Sequence, residues 1–270
     1  MTADPSTTAS APSPGEHPFA GFRRLSVTQE GPVLRVWLDR ADKRNAHDMT
    51  MVEEIGDLFL GLEKAFDVRV VVLGGRGSTF CAGADRRERV PEAATARERR
   101  WRAQVGRRAV RAIEECEAVT IARVHGHAVG GGSCLATACD FRITTESCLW
   151  WLPEDELGTP LPWGGTPRLI QELGMARARQ YIMTGERVPG PTAAAWGLAH
   201  ECVPDDRLDE AVERWVARLL AMPAFAVQST KAQLRGYQRL AALGDLSEAD
   251  GDFSTLARQT DDFRRGFQGF

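Results

Sequence analysis

The sequence predicts an α/β fold up to about Gly164 and a mainly helical region after it. Two observations carry this. Short runs rich in Val and Leu (Val33–Leu38, Val68–Leu73, Val119–Val124) are too short for ordinary helices and read as buried strands. Between and after them lie longer segments whose apolar residues recur at helical spacing.

In chain order, Leu25–Gln29 and Val33–Leu38 alternate apolar and polar around Gly31-Pro32, which predicts a hairpin. Met49–Phe66 carries Val52, Ile55, Phe59 and Leu62 on one helical face. Val68–Leu73 is a strand, and one long helix is expected over Ala93–Cys116. Val119–Val124 is a strand that ends at Gly126. Gly130, Gly131 and Gly132 then open a small-residue helix, Ser133–Ala138, followed by a strand at Phe141–Thr144. Asp205–Ala221 and Phe225–Leu243 are amphipathic, and a last helix covers Ser247–Phe267.

A chain of 270 residues can bury one sizeable core, and 43% hydrophobic with 26% charged residues is ordinary for a soluble protein. No apolar run approaches the roughly 18 residues that span a membrane. Residues 1–18 are rich in Pro, Ser, Thr and Ala, lack the basic start and apolar centre of a secretory signal, and read as a disordered tail. The six cysteines show no metal-ligand spacing, so reduced thiols, a cytoplasmic location and no metal are expected. A net charge of −3 does not suggest a nucleic-acid binder. There is no Walker loop, and the serine of Gly132-Ser133-Cys134 lacks the spacing of a nucleophile elbow.

The most informative stretch is Val119–Asp140. Glycines at a strand-to-helix turn let a ligand approach the backbone, and the first helical N–H groups are free to point at it. With the helix dipole they suit a developing negative charge. A second glycine-bearing segment, Ser78–Asp85, also follows an apolar strand. One backbone donor from each would make an oxyanion hole.

These residues resemble a known family. FCAGAD (Phe80–Asp85), HGHAVGGG (His125–Gly132) and PEDELG (Pro153–Gly158) are similar to motifs of the crotonase (enoyl-CoA hydratase/isomerase) superfamily. Leu38–Asp48 resembles its CoA loop, and Met183–Pro204 the segment after its active site. The resemblance implies a spiral of ββα units over residues 19–203. It also implies a helical region over 204–270 that forms homotrimers or dimers of trimers.

The resemblance further implies an acyl-CoA thioester as substrate, with no cofactor beyond that coenzyme A. Ala84 and Gly131 would be the oxyanion donors, and Glu154 the general base, with Trp150, Trp151 and Leu152 as its apolar wall. Lys43, Arg44, Asn45 and Ala46 would meet the CoA. Ala82, Asp85, Gly130, Cys134, Trp151 and Trp163 would line the substrate, with Phe263 from the last helix. Trp163 would narrow the acyl pocket together with Trp101, Trp150 and Trp151, or pack in the core. Hydratases of the family carry a second glutamate where this chain has Cys134. One base suffices to take a proton from C2 and return it at C4, so isomerisation is favoured over hydration.

The segment Arg86–Arg111 holds ten arginines against three acids. Arg97, Arg100, Arg107, Arg108 and Arg111 share one helical sector, and Trp101, Val105, Ala109 and Ile113 another. The stripe reads as a solvated face. The alternative is a polyanion site, for CoA phosphates or RNA, in a non-catalytic family member.

Overall fold

The computed structural model describes residues 21–88, 93, 95–241 and 249–268. The tail expected over residues 1–18 lies outside them. Strands β1 (Leu25–Glu30) and β2 (Val33–Leu38) form the antiparallel hairpin. From β2 the sheet continues in parallel through β3 (Val70–Gly75), β4 (Val119–Val124), β6 (Phe141–Thr145) and β9 (Glu201–Val203). Parallel strands covered on both faces are apolar throughout, and every residue of β3 is buried.

A smaller ladder runs beside this sheet. Its strands are β5 (His127–Val129), β7 (Leu149–Trp151) and β8 (Val188–Pro189). Single bridges extend it, pairing Cys81 with Ala128 and His47 with Ala84. After a turn, each main strand therefore hands its chain to the small ladder: β2 to His47, β3 to Cys81, β4 to β5 and β6 to β7. This repeated step is the expected spiral. It brings loops far apart in sequence to one edge.

Alternation along the strands divides the core between the two faces of the main sheet. Val71 and Leu73 join Leu34, Ala122 and the helices of the larger cluster, whereas Val70 and Val72 join Ile121, Ile143 and the later helix residues Leu208, Val212 and Val216. Helix α1 (Met49–Gly61) begins at Asp48, whose Oδ1 accepts the Met51 N–H at 2.9 Å. It buries the stripe read from sequence, Val52, Ile55 and Phe59, with Leu62 just beyond.

The single long helix expected over Ala93–Cys116 is instead two, α2 (Ala96–Ala103) and α3 (Val105–Glu115), meeting at Gln104. Val105, Ala109 and Ile113 are buried, but the break rotates α2, and Trp101 is exposed. Next come α4 (Gly131–Ala138), buried at every residue, α5 (Gly165–Met183) and α6 (Gly190–Trp196). Beyond β9 the chain is helical: α7 (Leu208–Leu220), α8 (Ala224–Ala241), α9 (Asp250–Ala257) and α10 (Asp261–Gln268). The last two replace the one helix expected over Ser247–Phe267, whose first residues, 247 and 248, lie outside the described ones. Among the described residues no helix is long and apolar enough to cross a membrane, and no cluster of His, Cys, Asp or Glu is disposed to hold a metal ion.

One buried cation ties several of these parts together. Arg142 of β6 is 1% exposed. It donates to Leu198 O at 2.6 Å, to Cys139 O at 3.0 Å and to Glu172 Oε2 at 2.6 Å. Arg142→Met leaves both carbonyls and the carboxylate without their donor. It should lower the unfolding free energy by about 3 kcal/mol, read as a fall in the urea midpoint at unchanged slope.

Candidate active site

The glycine turn stands where the sequence puts it. Gly130 has φ 52° and ψ −118°, a conformation closed to most side chains. Its N–H donates to Trp151 O at 2.8 Å, and its carbonyl accepts Cys134 N–H at 3.0 Å. Gly131 is the first residue of α4, so its N–H is among those a helix leaves unpaired. On the facing loop, the His47–Ala84 bridge uses the N–H of His47, to Gly83 O, and of Asp85, to His47 O, at 2.8 and 2.9 Å. The Ala84 N–H takes no part in that pairing, and Ala84 is exposed. Cys81 and Val129 exchange hydrogen bonds with β5 and this loop, fixing the register between the two segments.

Glu154 follows β7. Its Oε1 lies 2.7 Å from where a Cβ on Gly130 would sit, so any larger residue at 130 would collide with the carboxylate. Its Oε2 is buried without a hydrogen-bond partner. Burial pushes the Glu154 pKa up to about 7, against a backbone hydrogen bond that lowers it and with help from the charge on Asp155. Both tryptophans expected beside Glu154 have polar partners within the protein. Trp150 is fully buried and turned into the core, where its Nε1 donates to Thr144 Oγ1 at 3.2 Å. Trp151 donates to Glu156 Oε1 at 3.3 Å and lies under the Arg187 guanidinium, 4.4 Å away. Trp101 is 50% exposed and packs under Arg108, 4.5 Å from its ring centre.

Trp163 does reach the site. A Cβ on Gly131 would come within 2.7 Å of its indole and would strike the His47 ring. A Cβ on Gly106 of α3 would fall inside the same indole. The ring thus lies between two glycines, with His47 4.9 Å from it centre to centre. Sequence reasoning missed His47. Its only signal was a histidine placed directly before the helix cap Asp48. Burial pushes its pKa down to about 4 despite the opposing charge of Asp48, so the imidazole is neutral near pH 7.

Cys134 is 2% exposed, with Sγ 3.9 Å from Pro162 O. A first-turn position would lower a thiol pKa, but here burial pushes it up, and the charge of Glu154 adds to the effect. The group is a thiol, not a thiolate.

In the CoA loop, Lys43 and Arg44 are exposed, and Arg44 and Asn45 adopt φ of 52° and 53°. Asn45 is not a ligand-facing residue. It is wholly buried, accepting Arg40 N–H at 2.9 Å and donating to Arg76 O and Thr79 O at 2.8 and 2.7 Å. Asp85 is likewise engaged within the protein. Its carboxylate takes Arg40 Nη2 at 2.8 Å, and that guanidinium holds its pKa below the usual carboxylate range. Arg40 also donates to Ala46 O at 2.5 Å, and Ala82 N–H donates to Arg44 O at 3.1 Å. These bonds lash the oxyanion loop to the CoA loop. Phe263 arrives with α10, which lies on the Glu154 loop: a Cβ on Gly158 would come within 2.6 Å of Phe263 N. In the arginine stripe, Arg100 pairs with Asp252 at 3.2 Å and Arg111 with Glu115 at 2.9 Å.

Comparison with known proteins agrees with this geometry. A family model described as enoyl-CoA hydratase/isomerase matches residues 28–270. The short-chain-enoyl-CoA hydratase of Clostridium acetobutylicum is 31% identical over 239 residues, covering 87% of this chain and 91% of that one. A crystal structure of an enoyl-CoA hydratase from Mycobacterium avium subsp. paratuberculosis K-10 superposes with a TM-score of 0.82 at 28% identity, over 92% and 95% of the two chains. A Thermobifida fusca YX structure in complex with acetoacetyl-CoA has a TM-score of 0.72 at 32% identity, over 87% and 94%.

The buried carboxylate should leave a mark on stability. The native state holds the Glu154 proton more tightly than the unfolded chain does. That contribution is therefore complete below the ordinary value of 4.5 and is lost as pH rises through about 7. Glu154→Gln, which needs no ionisation, should melt higher than the wild type at pH 8. The gap should narrow toward pH 5 in paired thermal melts.

Proposed function

The chain belongs to the enoyl-CoA hydratase/isomerase family, and we propose that within it this enzyme moves a double bond in an enoyl-CoA, with Glu154 as the single proton shuttle. The thioester oxygen accepts from the Ala84 and Gly131 N–H groups. As Glu154 takes a proton from C2, negative charge grows on that oxygen, where the two donors and the N-terminus of α4 favour it. Glu154 then returns the proton at C4, and the enzyme ends as it began. Lys43 and Arg44, exposed at the CoA loop, meet the phosphates. The acetoacetyl-CoA held by the Thermobifida fusca protein supports a thioester ligand.

The observation that carries the reading is the pairing of a carboxylate at pKa about 7 with an un-ionised thiol, Cys134, where a second carboxylate would stand. A base whose pKa lies near the operating pH is well suited to take a proton from carbon and return it. The second reading is hydration, and the names of the relatives favour it. Its water needs another polar group, and the neutral His47 beside Gly131 is a candidate. The homotrimer is part of the same proposal: α8 presents exposed Phe225, Leu234 and Tyr237, apolar area that a second copy would cover.

A non-conjugated and a conjugated enoyl-CoA, each read by mass, separate the two. Isomerisation leaves the mass unchanged and creates the conjugated absorbance, whereas hydration adds a water. The rate should climb as pH rises through about 7 and then level off, because the base must be unprotonated. Glu154→Gln should cut turnover roughly 10²- to 10⁴-fold with little change in thioester binding. Near wild-type turnover in that variant would remove Glu154 from the mechanism.

Cys134→Glu tests the assignment from the other side. It restores a second carboxylate, so hydration of the conjugated substrate should rise relative to isomerisation, measured as the product ratio.

A further inference from the structure

His47 touches both segments that would supply an oxyanion donor. Its backbone pairs with Gly83 and Asp85, which sets it beside Ala84. Its ring lies against Gly131, where a Cβ would come within 2.4 Å of Nε2. In a helix the Cα–Cβ bond leans toward the N-terminus. Nε2 therefore stands off the N-terminal end of α4 rather than along its flank. That is the end at which the Gly131 N–H is left unpaired by the helix.

The ring is nearly buried and has no polar partner. His47 is 9% exposed, and among the described residues nothing hydrogen-bonds to either ring nitrogen. Buried polar groups almost always find a partner. Neither nitrogen is shut from solvent, and Ala84, paired with His47 across the bridge, is exposed. Trp163 packs against the imidazole, 4.9 Å away and tilted by 46°, and so holds the ring in place. A fixed, unpartnered polar group beside two oxyanion donors has the makings of a third.

Its chemistry is that of a donor, not a base. The adjacent Asp48 does not orient the ring, because its carboxylate accepts from Met51 N–H and Arg24 Nε at 2.9 and 2.7 Å. Burial holds the pKa near 4, so the imidazole is a far weaker base than Glu154 and keeps one N–H to give. A carbonyl oxygen has two lone pairs, and the Ala84 and Gly131 N–H groups would fill both. An enolate oxygen has a third. A donor waiting for that third pair favours the transition state over the bound substrate.

We propose that His47 is a further catalytic residue, whose Nε2–H donates to the thioester oxygen as that oxygen becomes an enolate. This rests on the acyl-CoA reading above but not on the choice between isomerisation and hydration.

Acetoacetyl-CoA tests this without turnover, because it ionises to an enolate with its own absorbance. Butanoyl-CoA has the same chain length and stays a thioester. With the full chain at fixed pH, His47→Met should lower the ratio of bound enolate to bound keto form about tenfold. Its affinity for butanoyl-CoA should be nearly unchanged. His47→Gln, which keeps an N–H, should recover part of the ratio. In turnover the Met variant should lose roughly 10²-fold in kcat with little change in KM. An unchanged enolate ratio in His47→Met overturns the proposal. So does an equal loss of butanoyl-CoA binding, which makes His47 a wall of the pocket alone. If His47→Met fails to fold, the wild type labelled with nitrogen-15 histidine decides. A ring N–H resonance should move with acetoacetyl-CoA and stay put with butanoyl-CoA, and histidine resonances that respond alike to both overturn the proposal. If neither thioester binds the wild type, the acyl-CoA reading itself falls.

Discussion

A carboxylate is held out of water against a turn that has no side chains, and the rest of the site depends on that contact. Glu154 can approach so closely because Gly130 offers only backbone, in a conformation that few other residues adopt. The same closeness strips water from the carboxylate and lifts its pKa into the range where a base is useful at neutral pH. It also keeps Cys134 protonated, since burial and the neighbouring negative charge both oppose a thiolate. Geometry, basicity and the silence of the thiol therefore share one cause.

The spiral explains how that contact is kept. Each turn of chain adds a strand to the main sheet and then a short segment to the small ladder, so His47, Ala84, β5 and β7 are stacked by backbone pairing. Around this edge, residues that look ready for a ligand are in fact braces. Asn45 satisfies three backbone groups from the centre of its loop, and Arg40 ties Asp85 to Ala46. Positions that bind the protein to itself leave Lys43 and Arg44 outside, exposed to solvent.

Trp163 fills the space beside the glycine turn. A large indole fits there because Gly106 and Gly131 both lack a Cβ, and it sits in a strained backbone conformation. The C-terminal helices take part directly, through Asp250 on Gly164 and through α10 against the Glu154 loop. They are a wall of the site as well as an appendage.

The sequence by itself determined the elements and turns that are local in the chain. Apolar strands, the stripe of α1 and the glycine turn were all legible, because each is written in spacing over a few residues or in a compact motif. Tertiary structure decided what depends on neighbours brought from elsewhere. The break at Gln104 leaves Trp101 in solvent. Strand alternation sends Trp150 into the core. Asn45 and Asp85 became braces because their partners, Thr79, Arg76 and Arg40, come from other turns of the spiral or loop. His47 lay in the Leu38–Asp48 segment with no role read for it, and Arg168 lay in no motif. They acquire meaning only when the fold places one on Gly131 and buries the other against Glu114, since desolvation and close approach are properties of the packed chain rather than of its order.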